Sequence, residues 1–176
     1  MRLLLVRHPR PEVDAGICYG RSDLPADTDD LLRVRATLPG GLPTWSSPLQ
    51  RCASLAHLLD PPQLRLDARL AEMDFGAWEL RSWDDIGRSE VDAWAADLLH
   101  YRPGGGESVI DVARRVAAFR AELLETGHAA ALVICHAGTI RLLRALHTGL
   151  PLEAAALEAA RTPHRIGYGE MLVLGD

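Results

Sequence analysis

The sequence predicts an α/β fold, a mostly parallel central sheet with helices on both faces, making three layers. Three observations carry that expectation. Leu3 to Val6 and Ala129 to Cys135 are continuously apolar rather than alternating, the pattern of strands covered on both sides. Between and after them lie segments with apolar residues at helical spacing, clearest from Val109 to Leu123. Glycine and proline clusters punctuate the segments, and no internal repeat is visible.

In chain order, Leu3 to Val6 is the first strand, ended by charge and proline. Pro9, Pro11, Gly16, Gly20 and Pro25 mark a long loop that cannot continue as helix. Leu31 to Leu38 reads as a short helix stopped by Pro39-Gly40-Gly41, Thr44 to Ser46 as a strand, and Leu49 to Leu59 as a helix ended before Pro61-Pro62. Gln63 to Leu66 is a further strand. Trp78 to His100, rich in Trp and acidic residues, is expected to be helical without a clean amphipathic pattern, up to Pro103-Gly104-Gly105-Gly106. Ser108 and Asp111 form a capping pair for the helix carrying Val109, Val112, Val116, Phe119 and Leu123. After the Ala129–Cys135 strand comes a helix from Thr139 to Leu146, stopped by Gly149 and Pro151. Ala154 to Ala160 is helical, and Met171 to Leu174 is the last strand.

Length and composition narrow the function. The 176 residues fit one domain around one core, and 48% apolar content suffices for a globular interior. The apolar runs are too short to span a bilayer, and Leu3 to Val6 stops at Arg7 without a small-residue cleavage site, unlike a signal peptide. Cys18, Cys52 and Cys135 lie far apart, so neither a zinc site nor a disulfide framework is indicated; reduced thiols and a cytoplasmic location are expected. All 19 basic residues are Arg, which excludes a P-loop lysine and a Schiff-base lysine. A net charge of −5 argues against nucleic acid or an anionic membrane as partner, yet a few converging Arg can hold a small anion.

In parallel α/β sheets chemistry gathers at the carboxyl ends of strands. Arg7-His8 closes the first strand there, and His136 ends the Ala129–Cys135 strand just before the small-residue turn Ala137-Gly138-Thr139, where a helix N-terminus offers free amides to an anion. Arg51 follows a third strand end at Ser46-Ser47-Pro48. Two imidazoles and two guanidiniums suit a phosphoryl group: Arg binds its oxygens in bidentate fashion, and a neutral imidazole attacks phosphorus without first losing a proton. Glu72, flanked by apolar residues, is the candidate acid for the leaving oxygen.

With these residues the chain resembles the histidine phosphatase (phosphoglycerate-mutase-like) superfamily. Leu4 to His8, Ser46 to Arg51, Leu70 to Glu79, Pro103 to Ser108 and Val133 to Gly138 match its blocks in family order, over nearly the whole chain. The resemblance implies a single domain over residues 1–176, a phosphohistidine formed on His8, phosphoryl contacts from Arg7, Arg51 and His136, and Glu72 as proton donor and then base for water. It implies no cofactor and no metal. The family usually carries Asn six residues after the nucleophile; here that position is Asp14, whose carboxylate would repel phosphate, and either Arg10 or Arg21 is the expected replacement. The opening from Arg7 to Pro11 and from Gly16 to Pro25 is similar to members described as α-ribazole phosphatases of cobalamin assembly, which makes α-ribazole 5′-phosphate a candidate substrate.

Each residue alone has a plainer reading: a satisfied core histidine, a surface cation, a solvated acid. Their joint occurrence lowers those odds. His57, His100, His128, His147 and His164 lack comparable context, Arg114-Arg115 reads as a solvated helix face, Cys135 as inert packing, and the four Trp as core or cleft mouth. The expected partner is a small phosphorylated metabolite, with a homodimer left open. The rivals are a phosphoglycerate-type mutase, which in this superfamily is longer, a protein-phosphohistidine phosphatase, and a phosphate-binding module without turnover.

Overall fold

The computed structural model describes residues 1–163 and 165–175. Five strands form one sheet: β1 (Arg2–Arg7), β2 (Thr44–Ser46), β3 (Leu64–Leu66), β4 (Ala130–Cys135) and β5 (Met171–Leu174), in the order β3-β2-β4-β1-β5. The first four neighbours run parallel and β5 pairs antiparallel with β1 at one edge. The expected mostly parallel sheet is therefore present, with short strands at both edges.

The continuous apolar runs have the physical cause assigned to them. Alternate residues of β1 and β4 point to opposite faces, and both faces are covered. Leu4, Val6, Leu132 and Ile134 pack against α1 (Thr28–Thr37) and α2 (Gln50–Leu59) through Val34, Cys52, Leu55 and Leu59. Leu3, Leu5, Val133 and Cys135 pack on the other side, against α4 (Val109–Glu125), α5 (Ala137–His147) and α6 (Leu152–Arg161). Helix α4 begins at a capping box in which Ser108 and Asp111 satisfy each other's backbone N–H groups, and it buries Val112, Val116, Phe119 and Leu123.

One expectation fails. Trp78 to His100 is not a helix; it holds turns and one short helix, α3 (Arg88–Ala96). The backbone around Leu80 is claimed instead by the Cys18 loop, through Leu80 N–H to Cys18 O and Cys18 N–H to Arg81 O, both at 2.8 Å. Leu80 accordingly takes a positive φ of 62°, which no helix tolerates. Tertiary hydrogen bonds thus override a modest local propensity. Among the described residues no helix is long and apolar enough to cross a membrane.

Candidate active site

Strand register assembles the site. Arg7 is level with Cys135, and Ser46 with Ile134, so His8, His136 and Ser47 emerge together at the carboxyl edge of the three central strands. The rings of His8 and His136 lie 5.0 Å apart. Arg7, His8, Arg51, Glu72 and His136 all line one cavity of about 440 Å3.

His8 is 2% exposed, and its Nδ1 lies 2.7 Å from the Pro9 carbonyl oxygen. A carbonyl can only accept, so Nδ1 carries the hydrogen and Nε2 keeps its lone pair. Burial, joined by the charges of Arg51 and Arg7 and opposed only by the Pro9 bond, lowers the His8 pKa to about 3. The ring is neutral at physiological pH. His136 is likewise held well below its ordinary value, by burial first and then by His8 and Arg51. Its Nε2 meets Ser47 Oγ at 2.8 Å, and Ser47 Oγ also accepts the Leu49 N–H at 3.3 Å.

The two guanidiniums are fixed by carbonyls and aromatic rings, not by acids. Arg51 is fully buried and donates to Ser22 O at 2.7 Å and Gly20 O at 2.6 Å. Those carbonyls are presented by a loop whose N–H groups at Gly20, Arg21 and Ser22 all donate to Glu79. Arg7 donates to Ile166 O at 2.5 Å and lies 4.0 Å from the centre of the Tyr168 ring. Each keeps a buried Nε–H without an acceptor among the described residues. With neither cation neutralised by a carboxylate among the described residues, the site holds positive charge suited to an anion.

Glu72 sits at the start of α5. Its Oε2 accepts Gly138 N–H at 3.0 Å and its Oε1 accepts Met73 N–H at 3.0 Å. Its apolar flanks Leu70, Ala71 and Met73 are buried and fix the segment. A Cβ at Gly138 would come within 2.4 Å of Glu72 Oε1, which is why the small residue is needed there. The segment is held from behind by a backbone clamp: Gly76 and Gly104 both take positive φ, and a Cβ on Gly76 would meet Gly104 O at 2.3 Å.

Several placements correct the sequence reading. Arg115 is not solvated. Its Nε and Nη2 donate to the Glu107 carboxylate at 2.9 Å each, Nη1 donates to the carbonyls of Arg69 and Ala71 at 2.7 Å, and Nη2 to that of Glu72 at 3.2 Å. Arg114 does face solvent. Arg10 and Arg21 do not line the cavity; their exposed guanidiniums lie 3.7 Å from Asp27 and 3.6 Å from Glu107. Asp14 is exposed. Arg141, Tyr19, Tyr168, Ser47 and Glu79 belong to the site or its frame and were not singled out from sequence; Ser47 and Glu79, inside matched blocks, and Tyr19, in the Gly16–Pro25 opening, carried a signal. Trp45 and Trp78 are core, and Trp83 and Trp94 line the cavity. Buried Cys135 has its thiol pKa pushed well up by burial. His57, His100 and His147 are exposed, His128 packs 5.7 Å from Trp45, and His164 lies outside the described residues. Among the described residues no cluster of three or more His, Cys, Asp or Glu could hold a metal ion.

The chain as a whole is similar to known proteins. The model of the histidine phosphatase superfamily (branch 1) matches residues 3–162. The adenosylcobalamin/α-ribazole phosphatase of Escherichia coli (strain K12) is 32% identical over 167 residues, covering 88% of this chain and 82% of that protein. The solved α-ribazole phosphatase from Shigella flexneri superposes with a TM-score of 0.81 at 26% identity, covering 98% of this chain and 89% of that one. TTHB049 from Thermus thermophilus gives 0.73 at 30% identity, covering 99% and 93%. The chain belongs to the histidine phosphatase superfamily and is a phosphatase.

Proposed function

We propose that this phosphatase hydrolyses a small phosphomonoester in two steps through a phosphohistidine on His8, with α-ribazole 5′-phosphate as the leading candidate substrate. The observation that carries the reading is a buried, neutral imidazole with one fixed tautomer, set among unneutralised Arg7 and Arg51. Nε2 of His8 attacks phosphorus in line; the N–P bond forms as the P–O bond to the leaving group breaks. Positive charge then builds on the ring, and the Nδ1–H bond to Pro9 O offsets it. Arg7, Arg51 and His136 stabilise the equatorial oxygens. Glu72 gives a proton to the leaving oxygen, then takes one from the water that attacks the phosphohistidine, releasing phosphate and neutral His8.

The relatives described as α-ribazole phosphatases support the candidate substrate. Rapid quench with a 32P-labelled phosphomonoester tests the mechanism. Label is expected on the peptide containing His8, stable in alkali and lost in acid, and absent from His8→Ala. His136→Ala should slow turnover roughly 10²–10³-fold without moving the label. Label on another residue, or near-normal turnover by His8→Ala, would refute the assignment. A kcat/KM for α-ribazole 5′-phosphate no higher than for unrelated metabolite phosphates would remove that substrate.

A further inference from the structure

The two phosphoryl-binding cations of the proposed mechanism are held by different loops. Arg51 donates to the carbonyls of Gly20 and Ser22, in the loop before α1, and Arg7 to that of Ile166, in the segment leading into β5. That second segment is also tied to the end of β1, where Arg7 N–H donates to Glu170 O and Gly169 N–H to Arg7 O, both at 3.0 Å. Among the described residues a single hydrogen bond joins the two loops directly: the hydroxyl oxygens of Tyr19 and Tyr168 lie 2.8 Å apart.

Each of these tyrosines also stands against one of the cations. The Tyr168 ring centre lies 4.0 Å from the Arg7 guanidinium and 5.6 Å from the His8 ring, and the Tyr19 ring centre lies 5.4 Å from the Arg51 guanidinium. A continuous path of contacts thus runs from Arg7 through Tyr168 and Tyr19 to Arg51. Both tyrosines are half-buried, and neither belongs to the apolar core clusters among the described residues. Burial, joined by the bond to Tyr168, raises the Tyr19 pKa although both guanidiniums pull the other way, so its hydroxyl stays protonated.

Electrostatics gives such a tie its use. Two guanidiniums that converge on one anion repel each other, and carbonyls carried on separate loops can yield to that repulsion. A pair of neutral hydroxyls joins the loops without adding a carboxylate, which would cancel the positive field that a phosphate needs.

We propose that Tyr19 and Tyr168 form a latch that sets the spacing of Arg7 and Arg51, and that both are positioning residues for phosphoryl transfer. This rests on the phosphoryl contacts given to the two arginines above and adds what keeps them converged.

Tyr19→Phe and Tyr168→Phe test it, since each deletes one hydroxyl and keeps the ring against its cation. Each should lower kcat/KM roughly 3- to 10-fold, the worth of one neutral hydrogen bond. The loss should be equal for p-nitrophenyl phosphate and an alkyl phosphate, because the arginines act on the phosphoryl oxygens and not on the leaving group. A general loosening of the site would displace Glu72 as well and hurt the alkyl ester more. The double variant should be no worse than either single one, within about twofold, because both remove the same bond. The two single variants are independent, so one that folds poorly leaves the other to decide. Unchanged kcat/KM in the single variants, multiplicative losses in the double variant, or a larger loss on the alkyl ester would overturn the latch. Near-normal turnover by Arg7→Met and Arg51→Met would instead overturn the role of the arginines, and the latch with it.

Discussion

Arg115 should act on the reaction through Glu72, although it touches no substrate. Its guanidinium joins the Glu107 carboxylate to the carbonyls of Arg69, Ala71 and Glu72, and Glu107 in turn accepts the Asp74 N–H at 3.0 Å. Arg115→Met removes every one of these donors while keeping most of the volume. Both partners are largely shielded, with side-chain exposures of 16% and 19%, so Glu107 is left as a poorly solvated carboxylate beside unpaired carbonyls. Breaking a fully buried pair costs about 3–5 kcal/mol; this slightly exposed one should cost about 2–4 kcal/mol. For a chain of this size that lowers Tm by roughly 5–15 °C, measurable by calorimetry. The kinetic effect is the sharper test. A Glu72 displaced by an ångström should cost about 10²-fold on an alkyl phosphate and much less on p-nitrophenyl phosphate, whose leaving group needs little protonation. In a Glu72→Gln background, Arg115→Met should add less than about twofold, because the group it positions is already gone. Multiplicative losses in the double variant, or equal losses on both esters, would show that Arg115 acts elsewhere. If Arg115→Met does not fold, Arg115→Lys keeps the charge but loses the fork, and the same comparison applies.

Three further outcomes are expected. Glu72→Gln alone should slow an alkyl phosphate more than p-nitrophenyl phosphate; equal losses would move the acid to another residue, Asp74 first. Activity should persist in EDTA, since Arg7 and Arg51 supply the positive charge, and neutral His136 a hydrogen-bonding ring, in place of a metal; full loss, restored by a divalent ion, would overturn this mechanism. Stability should fall on acidification below pH 6.5. His8 is held to about 3 in the fold, and His136 well below its ordinary value, so between pH 6.5 and 3 the unfolded chain takes up protons that the folded chain does not. Each histidine contributes at most about 1.4 kcal/mol per pH unit in that window and nothing above it. His8→Gln should therefore flatten the pH dependence of urea unfolding between pH 6 and 4, and an unchanged slope would contradict the burial argument.

What could be read in advance follows the range of the interactions. Leu3 to Val6 and Ala130 to Cys135 are strands because both their faces are apolar, a local pattern, and the placement of His8 and His136 at their ends follows from position alone. The helix from Val109 was equally legible, since its cap and its stripe lie within one segment. Arg115 was misread because nothing within a few residues shows that the carbonyls of Arg69 and Ala71 await it 46 and 44 positions away. Trp78 to His100 was misread for the same reason, its backbone partners lying in the Cys18 loop. Arg10 and Arg21 were proposed for their charge, and nearby acids hold them outside the cavity.

The proposed mechanism uses histidine in place of an oxygen nucleophile, and the burial of His8 gives a reason for that choice. A serine must lose a proton to attack, whereas a buried imidazole needs only to avoid gaining one. Burial accomplishes most of that, and Arg51 and Arg7 add to it: in the proposed mechanism the same positive field that draws a phosphate disfavours protonation of His8. The field is not wasted on internal ion pairs, because the partners of both guanidiniums are the carbonyls of Ile166, Gly20 and Ser22. Negative charge in the frame is kept one layer back, in Glu79 and Glu107. Burial pushes both carboxyls up, and hydrogen bonds to Ser22 and backbone N–H groups for Glu79, and Arg115 above all for Glu107, bring them below the usual range. Those two acids hold the loop whose carbonyls fix Arg51 and the segment that carries Glu72, and they leave the cavity its net positive charge. Adding a carboxylate to the loop that holds Arg51, as in Ser22→Asp, should therefore raise the concentration of inorganic phosphate needed for inhibition, even with the imidazole untouched; unchanged inhibition would show that the field at His8 does not depend on keeping acids out of that loop.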